Sequence, residues 1–170
     1  ANFSRRPSMT FVDAQGQTIA TYGDLFAGAV ALDEMSPYLP QAVLATEDRR
    51  FYEHPGVDVI GLARAAFANL RARRLVQGGS TITQQLARNL YDLKATNEST
   101  FEKMSRKIRE FITAVQIERN YTKDEILEMY LSVAYFGRSA YGIASASQIY
   151  FGKTPNELSL GESALLIGLL

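Results

Sequence analysis

Three times along this 170-residue chain a Thr or Ser stands three positions ahead of a Gln or Glu at the mouth of an apolar-periodic run. The pairs are Thr81 with Gln84 before ITQQLARNLYD, Thr122 with Glu125 before EILEMYLSVAYF, and Ser159 with Glu162 before SALLIGLL. In such a capping box the hydroxyl accepts the N–H of the third helical residue while that residue's side chain accepts the N–H of the cap. Two donors that a helix start leaves orphaned are thereby satisfied, so each box fixes where a helix begins. Between the first two boxes, FEKMSRKIREFITAVQIER carries Met104, Ile108, Phe111, Ile112 and Val115 as one apolar stripe, with Arg106, Lys107 and Glu110 together on another face. Upstream, DVIGLARAAFANLRARRLV places Val59, Leu62, Ala66, Phe67 and Leu70 near helical spacing, with Arg64, Arg71, Arg73 and Arg74 interspersed. Pro40 suits the first turn of a helix that QAVLATED continues, which delivers Glu47 and Asp48 near its C-terminal end.

The start of the chain has a different period. In MTFVDAQGQTIATYG, β-branched and aromatic residues flank Asp13-Ala14-Gln15-Gly16, the pattern of a small hairpin or a pair of edge strands. The expected fold class is therefore mainly α, a single domain over 1–170 with a lead-in over 1–35 that holds the hairpin. KATNEST reads as a polar loop, and no internal repeat, low-complexity tract or interdomain linker is present. The last helix is apolar through Leu170, from which the domain is expected to continue beyond that residue.

Bulk properties narrow the function classes. A hydrophobic content of 46% supplies one domain with a core, and 170 residues is short for two. Lys plus Arg and Asp plus Glu both count 18, so no global field draws in nucleic acid, and any anion site is local. Cysteine is absent, which removes disulfides and thiolate chemistry, and His54 is the only histidine, which removes a His-rich metal cluster. No apolar run approaches the roughly 20 residues that span a bilayer.

Two carboxylates frame the chemistry: Glu47 in ATEDRRFYEHPGVD and Glu110 in SRKIREF, with the Gly-rich QGGSTITQQLARN between them. A Glu in an apolar setting serves as a general base, because desolvation raises its pKa toward neutrality. Ala42 to Ala45, Phe51 and Tyr52 offer Glu47 that setting; the alternative is a helix-end Glu paired with Arg49 or Arg50. Gly78 and Gly79 followed by Ser80 and Thr81, the N-cap candidates, suit close backbone approach to a phosphate or pyrophosphate at a helix N-terminus, or simply a capped helix start. The GxxxxGK[ST] spacing of a P-loop is missing. Arg88 two turns on, with Arg106 and Lys107, strengthens the anion reading, although the latter two also suit ion pairs to Glu110 on a wet face. His54 before Pro-Gly invites a metal or general-acid role, or that of a hydrogen-bonded turn residue.

Taken in order, these segments resemble the peptidoglycan glycosyltransferase family, the transglycosylase domain of class A penicillin-binding proteins and monofunctional transglycosylases. ATEDRRFYEHPGVD resembles its first motif, QGGSTITQQLARN the second, RKIRE the third, KDEILEMYL the fourth and ASQIYFGK the fifth. The resemblance implies a lysozyme-like helical fold with a membrane-contacting subdomain, which falls on Val59 to Val76. It implies polymerisation of lipid II into β(1→4)-linked glycan strands, with inversion at the donor anomeric carbon and release of undecaprenyl pyrophosphate. Glu47 matches the general base, and Glu110 the second glutamate that organises the donor pyrophosphate, directly or through a divalent cation such as Mg²⁺. Arg106 and Lys107 match the residues that neutralise the leaving group, and Arg88 takes the place of a family lysine, keeping the charge with a different hydrogen-bond geometry. Asp48, Phe51, His54, Thr81, Gln84, Gln85 and Asn89 match positions lining the family's cleft.

The implied setting is the outer face of the bacterial cytoplasmic membrane, with an anchor outside this chain and a transpeptidase domain as the companion in the full protein. The chain departs from the family at Ser132, where Asn is usual, at Glu102, where Arg is frequent, and in the loop YDLKATNEST. A glycan-cleaving enzyme of the lysozyme or lytic type would share a catalytic Glu, but has no use for Arg106 and Lys107 beside Glu110. A non-catalytic lipid-binding module would keep the motifs without turnover.

Overall fold

A computed structural model describes residues 9–12, 18–22, 25–26, 29–74, 78–90 and 99–170. Strand β1 (Met9–Val12) pairs antiparallel with β2 (Thr18–Tyr22), Met9 opposite Tyr22, with a register irregularity between Phe11 and Val12. The connection at 13–17, where the turn of the expected hairpin falls, lies outside the described residues. Strand β3 (Leu25–Phe26) pairs parallel with β4 (Ala140–Tyr141), so the lead-in is tied to the C-terminal part of the chain. Further anchors follow: Val30 N–H donates to Ser132 Oγ at 3.2 Å and Leu32 N–H to Glu128 Oε1 at 2.9 Å. Ser132 thus holds the lead-in.

The rest is helical: α1 (Tyr38–Thr46), α2 (Val59–Ala72), α3 (Ile82–Leu90), α4 (Thr100–Asn120), α5 (Lys123–Val133), α6 (Ile143–Phe151) and α7 (Leu160–Ile167). All three capping boxes form; Thr81 N–H, for example, meets Gln84 Oε1 at 3.1 Å while Gln84 N–H meets Thr81 Oγ1 at 3.2 Å. A fourth opens α4, where Ser99 N–H donates to Glu102 Oε2 at 2.7 Å, so Glu102 serves as a cap residue. Helix α1 has Pro37 as N-cap and Pro40 inside the first turn, as its sequence suggests, where a missing N–H costs nothing. Within the Gly- and Ser-containing stretch GRSAYGIASASQIYFGK, β4 is followed by α6, which carries most of the fifth motif. Gly142 enters it at φ 81°, and a Cβ there would collide with the Ser132 carbonyl.

Helix α3 is central, packed between α4 and α5, and Ile82, Leu86 and Ala87 are fully buried. Helices α1 and α7 pack together, and one core joins Leu39, Val43, Phe51, Ile126, Leu131, Phe136, Ile143 and Leu166. Two apolar stripes stay outside this core. On α2, Phe67 and Leu70 are 67% and 78% exposed, and only Ala65 is buried. On α4, Met104, Ile108, Phe111 and Ile112 are exposed, and the face that packs inward carries Glu110, Ala114 and Ile117. The cationic face of α4 is thus the one turned toward α3, with its charges compensated by ion pairing.

Candidate active site

Helix α1 ends at Glu47, its C-cap, and the next residues turn through Phe51–Glu53 to bring His54 back beneath them. Asp48 is the fulcrum. Its carboxylate lies 3.0 Å from His54 Nε2 and accepts the Ile82 N–H, the first of α3, at 3.1 Å. An anionic side chain at a helix N-terminus is favoured by the unpaired N–H groups and the positive end of the dipole. The expected anion site at that terminus is therefore already engaged by the protein's own Asp48. Thr81 Oγ1 donates to the Gly56 carbonyl at 2.6 Å, a second tie between the same two segments. Gly56 sits at φ 89°, and a Cβ there would press on Glu118 and the Ala114 carbonyl.

This clamping sets Glu47 against α3. Gln85 Nε2 donates to Glu47 Oε2 at 2.8 Å, and Tyr130 Oη, from α5, donates to Gln85 Oε1 at 3.1 Å. The pairing with Arg49 or Arg50 does not occur: Arg49 donates to the Ala45 carbonyl, and Arg50 bonds Glu53 and Asp58. Glu47 is half-buried at the wall of a cleft of about 650 Å³ that Asp48, Arg49, Arg50, Arg64, Ser80, Thr81, Gln85 and Arg88 also line. Gly78 and Gly79 contribute backbone to that wall, and Gly79 backs onto Leu62. Arg88 is the cation on α3, and its buried Nε has no hydrogen-bond partner among the described residues. At the cleft wall the Glu47 carboxylate is thus fixed from behind by an amide, with guanidinium groups around it.

Glu110 stands apart. Only 1% of it is exposed, and its two oxygens accept from Arg106 Nη1 at 2.6 Å and Lys107 Nζ at 2.8 Å. It does not line the cleft, but Lys107 Nζ also reaches Ser80 Oγ, on the cleft wall, at 2.9 Å. Glu110 is therefore the internal partner that holds two cations on α4, and Lys107 extends to the rim. Phe51, His54 and Gln84 lie beneath the cleft: Phe51 is fully buried with the Lys123 ammonium 4.4 Å from its ring centre, and Gln84 caps α3. Asn89 is half-buried in the last turn of α3.

As for metals, both oxygens of Glu110, the carboxylate between Arg106 and Lys107, are engaged by those cations. Among the described residues no group of three or more His, Cys, Asp or Glu is placed to hold an ion. That donor set falls short of the several oxygen ligands a resident divalent ion takes from protein and water.

Several contributors have no role assigned by the linear pattern, although Lys123 and Tyr130 lie within KDEILEMYL, the segment that resembles the fourth motif. Tyr130 reads as one more core aromatic of α5. Glu118 accepts from Thr83 Oγ1 at 2.6 Å and Lys123 Nζ at 2.8 Å, and Lys123 also donates to the His54 carbonyl at 2.6 Å. This polar hub joins α3, α4, α5 and the first-motif loop, and the run IERNYTKDE gives it away only as ordinary helix-end charge.

The transglycosylase family model matches residues 15–170. Among curated relatives, penicillin-binding protein 1A of Escherichia coli is 48% identical over 161 residues, which is 95% of this chain and 18% of that protein. The Aquifex aeolicus protein of the same name is 48% identical over 92% of this chain and 21% of its own length, and that of Neisseria gonorrhoeae 42% identical over 99% and 20%. The chain thus spans about a fifth of the length of these relatives. With the family model covering all of the described helices and the first-motif glutamate held in a cation-lined cleft, the chain belongs to the transglycosylase family, the peptidoglycan glycosyltransferases its sequence resembles.

Proposed function

We propose that this domain polymerises lipid II, with Glu47 as the general base and Arg88, Lys107 and Arg106 as the groups that meet the leaving pyrophosphate. The observation that carries the reading is the Gln85–Glu47 hydrogen bond in a cleft that Arg88 shares. Oε2 of Glu47 is occupied by the amide, and among the described residues no donor meets Oε1, which is left for an incoming hydroxyl.

The chemistry follows from that placement. The acceptor's 4-hydroxyl gives its proton to Glu47 as its oxygen bonds the donor's anomeric carbon. The bond from that carbon to the pyrophosphate oxygen breaks on the opposite side, and its electron pair leaves with the pyrophosphate. Attack opposite an α-linked leaving group inverts the centre, giving the β(1→4) linkage without a covalent enzyme intermediate. Fixed guanidinium and ammonium groups stabilise the charge as it builds on the leaving group, and Glu110 keeps Arg106 and Lys107 from scattering into solvent. A divalent ion such as Mg²⁺ belongs, on this reading, to the substrate's own phosphates.

The exposed apolar faces of α2 and α4 support a membrane-contacting role for this part of a lysozyme-like fold, with Arg64, Arg71 and Arg73 of the α2 region available to anionic head groups. No helix among the described residues is long and apolar enough to cross a membrane. Anchoring on the outer face of the cytoplasmic membrane, and a transpeptidase portion, are assigned to the parts of the full protein that correspond to the remainder of the relatives.

The test is to incubate the full-length protein with detergent-solubilised lipid II and resolve products by size, with and without muramidase. Muramidase-sensitive polymer is expected, and Glu47→Gln should abolish it with the thermal transition unchanged. Full activity in that variant would refute the base assignment.

A further inference from the structure

We propose that Tyr130 is a positioning residue for glycosyl transfer, its phenol fixing the amide of Gln85 so that the NH₂ end meets Glu47. The inference rests on the reading of Glu47 as the base. Tyr130 belongs to α5, is 1% exposed and packs within the core; its hydroxyl reaches Gln85 at the back of the cleft wall. A side-chain amide has one donor end and one acceptor end, and rotation by half a turn exchanges them. With the NH₂ toward Glu47, the carbonyl end faces away and needs a donor; Tyr130 Oη supplies it at 3.1 Å. In the reverse orientation the carbonyl lone pairs would face the carboxylate.

Burial keeps that donor in place. Desolvation first, then the nearby charge of Glu47, push the Tyr130 phenol well above the ordinary tyrosine range, with Arg88 opposing, so the O–H stays protonated at any working pH. The order Tyr130, Gln85, Glu47 thus runs from the rigid core of α5 through α3 to the C-cap of α1. Each link has a defined donor and acceptor. What the phenol contributes is a single carboxylate rotamer, with the second oxygen turned to the cleft. Positioning of this kind acts on the rate of the bound complex, because it prepares the base for proton transfer without touching either sugar.

The experiment compares the full-length protein with Tyr130→Phe, Gln85→Ala, the double variant and Glu47→Gln, measuring kcat and KM for lipid II and the thermal midpoint. Losing one hydrogen bond of about 1.4 kcal/mol corresponds to a tenfold change, so Tyr130→Phe should lower kcat about tenfold. KM should stay within about twofold of wild type, since no substrate contact is removed. Gln85→Ala should lower kcat at least as far, and the double variant should be no worse than Gln85→Ala, because the phenol acts only through the amide. Tyr130→4-aminophenylalanine, which keeps an N–H donor at the same place, should restore most of the rate and also serves if the Phe variant folds poorly. Wild-type kcat in Tyr130→Phe, losses that multiply in the double variant, or no rescue by the amino analogue would overturn the proposal. Glu47→Gln separates the two levels: if it is inactive while Tyr130→Phe is fully active, only the positioning role fails, and if it still polymerises, the base reading itself fails.

Discussion

Replacing Asp48 with Ala removes one carboxylate and disturbs the two groups it holds, the Ile82 N–H and His54. Its oxygens accept the Ile82 N–H at 3.1 Å and lie 3.0 Å from His54 Nε2, and its side chain is 4% exposed. Hydrogen bonds to a charged group contribute about 1.5–3 kcal/mol each, and a carboxylate at a partly buried helix start up to about 2 kcal/mol, two effects that overlap at Ile82. Removal relieves the desolvation of the carboxylate itself, which offsets part of the loss. It also leaves Ile82 N–H and His54 buried without an acceptor, and His54 Nδ1 already has no partner among the described residues. A net destabilisation of about 3 kcal/mol follows, which for a domain of this size is a fall in Tm of about 6–12 °C.

Asp48→Asn separates charge from hydrogen bonding, because its carbonyl still accepts from Ile82; about half the effect is expected. Urea and thermal unfolding followed by circular dichroism measure both, with lipid II polymerisation alongside. Activity should fall further than stability in Asp48→Ala, because the clamp that sets Glu47 against Gln85 is lost. A Tm change under about 2 °C, the range of an ordinary surface substitution, would refute the clamp, and an Asn variant as damaged as Ala would refute the hydrogen-bond share of it.

Two further predictions concern the periphery. The Lys153 ammonium, 2.6 Å away, together with the backbone N–H and hydroxyl of Ser159, holds the Glu162 carboxyl well below its ordinary 4.5, at about 2. A depressed carboxyl stabilises the fold above its unfolded pKa, so this contribution is present above about pH 4.5 and disappears as pH falls through about 2. Side-chain NMR titration should show the low midpoint, Lys153→Met should move it toward 4.5, and an unmoved midpoint would dismiss the ion pair as its cause. On α2, Phe67→Asp with Leu70→Asp should leave stability within about 0.5 kcal/mol yet reduce co-sedimentation with anionic vesicles; undiminished binding would remove this helix from the membrane contact.

Helix starts were legible because a capping box is closed within four residues. Thr81 with Gln84, Thr122 with Glu125 and Ser159 with Glu162 make their bonds to one another and to backbone between them, whatever the rest of the chain does. The first two motifs were legible for a related reason: Glu47, Asp48, Thr81 and Gln85 are neighbours in sequence within their segments, and their residue types carry the resemblance. The direction in which a helix faces was not legible. The stripe Met104, Ile108, Phe111 and Ile112 has the period of a buried face and lies exposed, while Glu110, flanked by cations, lies at 1% exposure. Periodicity reports that a helix has two faces; burial depends on what packs beside it.

The helical class, the helix boundaries at the caps and the family to which the glutamate and the Gly-rich segment belong can be read from the chain alone, since all of these depend on short-range chemistry. Packing between helices places Asp48 at the N-terminus of α3, has Glu47 held by Gln85 and not by Arg49 or Arg50, and turns Glu110 inward to hold Arg106 and Lys107. It also decided that a core tyrosine 45 positions from Gln85 completes the chain of hydrogen bonds behind the base. Contacts across such separations are set by how α1, α3, α4 and α5 pack around one another, and no local pattern of residue types encodes that packing.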